Sequence, residues 1–494
     1  MEEDNDRSGR RGESMELFAR GPGERVLSRL LGIFGILLFG WMLWYSHANA
    51  ATHFTSDWVV PLLVLAAAVL VLLLGSILGR YIGPKTFAAV LLLLTAALRL
   101  VWIVAIETKP VSDFFDMHSG ALSAARGDFS FGTNEYFTRW VYQLGFTLYE
   151  SLVIKLFGSS LIVLQLFNIL FQMGTAVVLY KSAAKAFGEK CGRAAALLYA
   201  VYVPNIIMCS VLTNQHISVF LYFLGLYVLI RKRFVGKYDW LLIGLCFGVG
   251  NLMRPLGSFF LVGFVAYMAL FLLMPRIRER SWPALAAKCI GVIAVYWLVQ
   301  QAASFALVQT GVTPYPLANR EPYWKFMIGL NPATVGGWSY DDTVYVLQYP
   351  IGEERNRVEL ELLKERLENK RQVAALFASK TKVMWGAEDS APMWSLPELD
   401  RPSLYKRLVQ AERIEYILLA FFGVVAMTVI AWRGVSAEAS FFLLLLLGYA
   451  ALHVVIEVQT RYRFDIFPCV IILQSVGIYA LLGLFRRKER KRGG

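Results

Sequence analysis

The stretch KPVSDFFDMHSGA, residues 109–121, places two carboxylates, Asp113 and Asp116, and one imidazole, His118, directly after an apolar run at 86–106. A free aspartate titrates near ~4 and is a weak base in water, but partial desolvation at a membrane surface raises it by one to a few units. Such a carboxylate can take a proton from an attacking hydroxyl or amine. If a helix starts here, the spacing of three puts both carboxylates on one face. The same spacing also suits a plainer pattern, an N-cap Asp113 with an acidic residue near the third helical position.

The cationic counterparts lie far away in the chain. Arg254 is the single basic residue of the apolar run 240–274. A charge at that depth is by default functional or paired, and a guanidinium grips phosphate oxygens in a bidentate fork. Its plainer reading is snorkelling, or pairing with a carboxylate. Arg461 and Arg463 flank Tyr462 in EVQTRYRFD, residues 457–465, between the last two apolar runs. They suit either one phosphate shared with Arg254 or ordinary anionic headgroups. Asn214, Gln215 and His216, in TNQH at 213–216, interrupt another long apolar run. In GLNPATVGGWSYDD, residues 329–342, Trp338 suits stacking on a sugar face and equally a packed turn. No HExxH, GxSxG or Walker pattern stands where it could act, so hydrolase, ATPase and zinc-protease chemistry have no support. The sequence shows no required cofactor. Asp113 with Asp116 is a thin ligand set for magnesium or manganese, which leaves a divalent metal open.

The elements that must position these groups follow from composition. Of 494 residues, 57% are hydrophobic and 17% charged, where a soluble protein carries about a quarter charged. The chain is therefore expected to be an all-α polytopic membrane protein. The net charge of +13 comes mainly from Lys and Arg flanking apolar runs, the mark of cytoplasmic loops, and not from a nucleic-acid face. The five cysteines lie in or beside apolar segments, so neither a disulfide framework nor a cysteine metal site is implied.

Apolar runs near 28–47, 58–79, 86–106, 159–180, 284–309, 413–432, 437–456 and 464–485 each suit one spanning helix. The runs 194–230 and 240–274 would each measure ~50 Å as single helices, too long for a bilayer core. Both are flanked by positive charge: Lys181, Lys185, Lys190 and Arg193; then Arg231, Lys232, Arg233 and Lys237; then Arg276, Arg278 and Arg280. The positive-inside rule folds each into a hairpin, with TNQH and Arg254 at its outer tip. The expected total is about twelve spans with both termini inside. The organisation is a cytoplasmic tail, 1–27; two additional spans, 28–85; a core, 86–309, with a first outer loop at 107–158; a second outer region, 310–412; C-terminal spans, 413–485; and a basic tail, 486–494. HANAA at 47–51 has the look of signal cleavage, but the long charged segment before it fits a retained anchor better. Residues 134–158 suit a helix lying in the membrane interface, and 353–385 a charged surface helix. No duplication of halves is visible, which weakens a transporter.

At these residues the chain resembles the C-type (GT-C) glycosyltransferase superfamily, in particular the branch of protein O-mannosyltransferases and lipid A aminoarabinose transferase. The likeness is carried by PVSDFFDMHSGALSAARGD (110–128), an aromatic juxtamembrane region ending LFG (156–158), two short-helix hairpins, RP (254–255), and RYRF before a proline (461–468). It covers residues 86–485. The resemblance implies a polyprenyl-phosphate sugar donor, an extracytoplasmic acceptor (protein, lipid or envelope glycan) and inverting displacement. It implies Asp113 as base with Asp116 its neighbour, and Arg254, Arg461 and Arg463 at the donor phosphate. Where many relatives carry an acidic residue at the earlier tip, this chain has TNQH, so Gln215 or His216 would serve there. Tyr462 and Trp338 complete the expected binding set. The expected place is a cell membrane, bacterial and cytoplasmic, with the site facing outward. The alternatives are a polymerase or ligase of lipid-linked glycans, and a lipid or sugar transporter.

Overall fold

The computed structural model describes residues 21–56, 58–77, 82–274, 282–396 and 401–492, with side chains described to residue 483. Most of the N-terminal tail, the side chains of the tail from 486 onward, and Arg276, Arg278 and Arg280 lie outside the described residues.

Three long apolar helices come first: α1 (Pro22–Ala51), α2 (Val59–Ile77) and α3 (Pro84–Ala105). The first polar segment carries α4 (Asp113–Ala125), α5 (Glu135–Arg139) and α6 (Leu144–Phe157). Next come α7 (Leu161–Phe187), α8 (Glu189–Val201), α9 (Val203–Ile207), α10 (Gln215–Arg231), α11 (Asp239–Met253), α12 (Gly257–Tyr267) and α13 (Trp282–Gln309). The second polar segment holds α14 (Trp324–Gly329), α15 (Tyr340–Val346), α16 (Glu353–Glu368), α17 (Lys370–Gly386) and α18 (Ala391–Ser395). The chain closes with α19 (Pro402–Arg433), α20 (Ala437–Val455) and α21 (Arg463–Arg492). Among the described residues the one extended pairing is an isolated bridge between Trp140 and Asn319.

Among the described residues eight helices are long and apolar enough to cross a membrane, and α8 with residues 203–210, bent by 58°, makes a ninth if the pair is one broken span. Three shorter apolar helices, Gln215–Arg231, Asp239–Met253 and Gly257–Leu273, make up the rest. This inventory is compatible with twelve passes. The bend has a local cause. Pro204 has no N–H, so the carbonyl of Ala200 loses its partner four residues on and the helix breaks. The chain then turns at 211–214 into α10, and at 254–256 from α11 into α12. Both tips fall on the polar residues that the charge pattern selects.

The ends of the bundle differ in chemistry. At one end Arg233 pairs with Glu438, Arg231 lies 3.0 Å from Asp239, and Lys288 donates to the carbonyls of Phe234, Val235 and Gly236. At the other, the two polar segments close over the tips. There Gly145 of α6 lies so near Leu252 that a Cβ would sit 1.9 Å from its carbonyl oxygen. Only glycine lets α6 approach the Arg254 tip this closely.

Two expected helices are divided. Residues 134–158 break at Trp140 because Arg139 is held between the Trp140 and Trp324 rings, 4.6 and 4.8 Å from their centroids, and pairs with Glu321 at 2.7 Å. Residues 353–385 break at Asn369, whose side chain accepts from Gln372 N and starts α17.

Candidate functional site

Asp113 begins α4, but Ser112 occupies the N-cap, and no side chain caps the helix. Ser112 adopts φ 54 and ψ −136, a conformation that costs a non-glycine residue about 1–3 kcal/mol and recurs at functional sites. Neither carboxylate is spent on capping. The Asp113 side chain is 39% exposed, and Asp116 is exposed beside it. Partial burial and then the Asp113 charge push the Asp116 carboxyl above the ordinary aspartate range.

Arg461 reaches this carboxylate from the other end of the chain. Its Nη2 lies 3.6 Å from Asp113 Oδ2. Phe114, Trp394 and Tyr462 enclose the guanidinium at 5.0, 4.6 and 5.6 Å from their centroids. Its Nε is buried without a hydrogen-bond partner among the described residues.

Arg254 stands on the far side of Tyr462, 5.6 Å from the ring centroid. It donates through Nε and Nη2 to Asp465 Oδ2 at 3.1 and 2.8 Å, and through Nη1 to Asn214 Oδ1 at 3.0 Å. Gln215 Nε2 donates to Asp465 Oδ1 and to the Arg461 carbonyl, both at 3.1 Å. Tyr449 adds a hydroxyl to Asp465 Oδ2 at 3.3 Å and to the Tyr462 carbonyl at 2.8 Å. Asp465 therefore ties both hairpin tips to the start of the last span.

Several residues here escape the sequence reading. Lys325 pairs with buried Glu457 and donates to the Tyr462 hydroxyl at 3.4 Å, while that hydroxyl donates to Glu457 Oε2 at 2.9 Å. Burial disfavours the Lys325 ammonium, but Glu457 outweighs it and holds the group above the usual lysine range. Tyr142 lies among the same charges: burial raises its phenol, Lys325 opposes, and Asp113 and Tyr462 raise it further. The Tyr136 hydroxyl is buried without a partner, and its phenol is raised by burial and then by Asp113. The only sequence signal was aromatic enrichment at 134–158 and the acidic positions in EVQTRYRFD.

Other expected site residues lie elsewhere. Arg463 is 1% exposed and turns away from Asp113. It donates to Thr460 O at 3.1 Å and Ala387 O at 3.0 Å, lies 3.3 Å from Asp389, and covers the Tyr416 ring. Burial pushes the Asp389 carboxyl up to about 6 despite Arg463. Asn49 of α1 donates to Glu388 in the same turn at 2.8 Å, which gives the additional N-terminal helix a bracing contact here. His216 is buried behind its tip, with Nδ1 3.2 Å from Gln172 Nε2 and Nε2 2.9 Å from Met208 O. His118 lies 3.6 Å from Glu150. Trp338 is 54% exposed and meets Tyr340 edge-on at 6.2 Å. Its loop is fastened by Lys380, which donates to Gly329 O at 2.6 Å and Ile456 O at 2.8 Å. All five cysteines are free. Among the described residues no group of three or more His, Cys, Asp or Glu is placed to hold a metal ion.

Residues 145–299 match the family described as dolichyl-phosphate-mannose-protein mannosyltransferase. That match covers about a third of the chain, from α6 to α13, and supports a likeness to the GT-C glycosyltransferases. Among solved structures, the chain is similar to an archaeal oligosaccharyltransferase, AglB from Archaeoglobus fulgidus, in complex with an inhibitory peptide and a dolichol-phosphate. The identity is 12% and the TM-score 0.46, over 83% of this chain and 52% of that one, so the chain spans about half the length of that structure. No curated protein matches.

Proposed function

We propose that the protein transfers a sugar from a polyprenyl-phosphate donor to an extracytoplasmic acceptor (protein, lipid or envelope glycan) by inverting displacement at the anomeric carbon. The observation that carries this is the 3.6 Å approach of Arg461 to Asp113, beside Tyr462 and Arg254. A partly exposed carboxylate and two guanidiniums from distant parts of the chain thus stand around one tyrosine.

Each group has a chemical task in this reading. Asp113 takes the proton of the attacking hydroxyl or amine and stabilises positive charge at the anomeric carbon. A phosphate leaving group needs little protonation, but its developing charge must be met by fixed cations. Arg461, with an unpartnered Nε, is the direct phosphate contact. Arg254 adds its field while Asp465 and Asn214 hold it still. Lys325 and Tyr142 stand close by, and Asp116 lies beside the base on α4. The transferred group is a hexosyl or pentosyl unit, and the site faces outward from a bacterial cytoplasmic membrane.

The test is incubation of purified protein with radiolabelled polyprenyl-phosphate sugars, comparing wild type with Asp113→Asn and Arg461→Gln. Loss of transfer in both folded variants supports the assignment. Transfer by Asp113→Asn at the wild-type rate would remove the base and with it the mechanism.

A further inference from the structure

One buried charge that the mechanism leaves unused is Arg99, in the second half of the span Pro84–Ala105 and 0% exposed. Among the described residues no carboxylate pairs with it. Nη1 donates to Thr95 O at 3.1 Å and to Ala200 O at 3.0 Å, Nε donates to Gln172 Oε1, and Nη2 has no partner among the described residues. Placing an ionised group inside an apolar span is expensive, so its retention calls for a role.

The first part of that role is local. Ala200 O is the carbonyl left over when Pro204, lacking an N–H, breaks the bent span. Arg99 supplies the missing donor from a neighbouring helix. An orphaned buried carbonyl would otherwise persist at the bend.

The second part is directional. A guanidinium only donates, so its contact with Oε1 fixes which way the Gln172 amide faces. The amide nitrogen is then turned to His216 Nδ1 at 3.2 Å, which must accept, and His216 Nε2–H is left to donate to Met208 O at 2.9 Å. Each link has one permitted sense. His216 lies in the first turn of α10 directly after Asn214 and Gln215, the residues that hold Arg254, Asp465 and the Arg461 carbonyl.

We infer that Arg99 is a positioning residue: through Gln172 and His216 it sets the 208–216 tip on which the Arg254–Asp465–Arg461 arrangement is built. It touches no reacting atom. It acts by determining where the two site guanidiniums stand relative to Asp113.

The test has an arm that needs no substrate and an arm that rests on the proposed transfer. Hydrogen–deuterium exchange compares wild type, Arg99→Gln, Arg99→Lys and Gln172→Leu in detergent. Arg99→Gln and Gln172→Leu are expected to speed exchange across 208–218 and across 460–466, with peptides of α20 unchanged; Arg99→Lys, which keeps a donor-only cation, restores part of the protection. Gln172→Leu leaves the Ala200 contact intact, so it still reads the relay if Arg99→Gln fails to fold. Faster exchange confined to 96–102 and 198–206 would reduce Arg99 to a local staple and overturn the inference. In the transfer assay Arg99→Gln and Gln172→Leu are expected to change kcat/KM by about ten- to a hundredfold through misplacement, mostly in the donor KM, with Arg99→Lys intermediate. Unchanged KM in both folded variants overturns the inference. If wild type shows no transfer, the exchange arm alone decides it.

Discussion

Arg461 and Asp113 face each other at 3.6 Å although one begins the last span and the other follows the third. The pair is one-sided in its commitments. Arg461 is buried among aromatic rings, whereas Asp113 is open to whatever enters the mouth.

Because Asp113 is partly exposed and contributes little to packing, Asp113→Asn is expected to lower kcat by about 10²–10⁴-fold, the usual size of a lost general base. Its thermal midpoint should stay close to wild type. Initial-rate measurements with a melting curve on the same preparation check both halves.

Arg254 behaves differently. Asp465 is 2% exposed at the side chain, and removing its partner leaves a buried carboxylate uncompensated, at a cost of roughly 3–5 kcal/mol. Arg254→Ala is therefore expected to unfold at a clearly lower temperature than wild type, while Arg254→Ala with Asp465→Asn recovers most of that loss. Additive losses in the double variant would argue against the coupling.

Glu359 of α16 gives a pH dependence. It is 0% exposed with both carboxylate oxygens unpartnered, among Glu321, Arg139 and Arg355. Burial first, then Glu321, raise its carboxyl to about 8, with Arg139 and Arg355 opposing. A folded-state value above the unfolded one means that the folded form holds the extra proton; stability is full below ~4.5 and declines as pH rises through about 8. Glu359→Gln is expected to remove this decline and to stabilise by roughly 1–3 kcal/mol at alkaline pH. Melting curves across pH 5 to 9 read it directly.

Ser112 supplies a test of strain. With φ at 54, Ser112→Gly is expected to stabilise the fold by about 1 kcal/mol while lowering kcat, since Asp113 is then less firmly aimed. A gain in stability with no change in rate would separate the strained turn from the chemistry.

Much of the arrangement is legible in the residues alone. The two tips were readable because positive charge at both ends of 194–230 and 240–274 forces each run to turn at its polar interruption. Arg463 was not separable from Arg461 by composition. Helical geometry separates them, since residues two apart point nearly opposite ways at 3.6 residues per turn, and Arg463 indeed faces Asp389. Arg99 is hidden by its own span, whose mean hydropathy stays high around one charge. Lys325, Tyr142 and Asp465 owe their place to partners more than a hundred residues away, and no local pattern encodes that.

The short helices around the tips have a geometric consequence. At 17 and 15 residues, α10 and α11 extend only about 22–26 Å along their axes, less than the ~30 Å of a hydrocarbon core. Helices this short are accommodated by local thinning of the bilayer, which would bring the Arg254 tip below the plane of the surrounding headgroups. On the proposed function, a carrier lipid would then present its phosphate without rising out of its leaflet, and an acceptor from the aqueous side would have to dip into the thinned region to meet it.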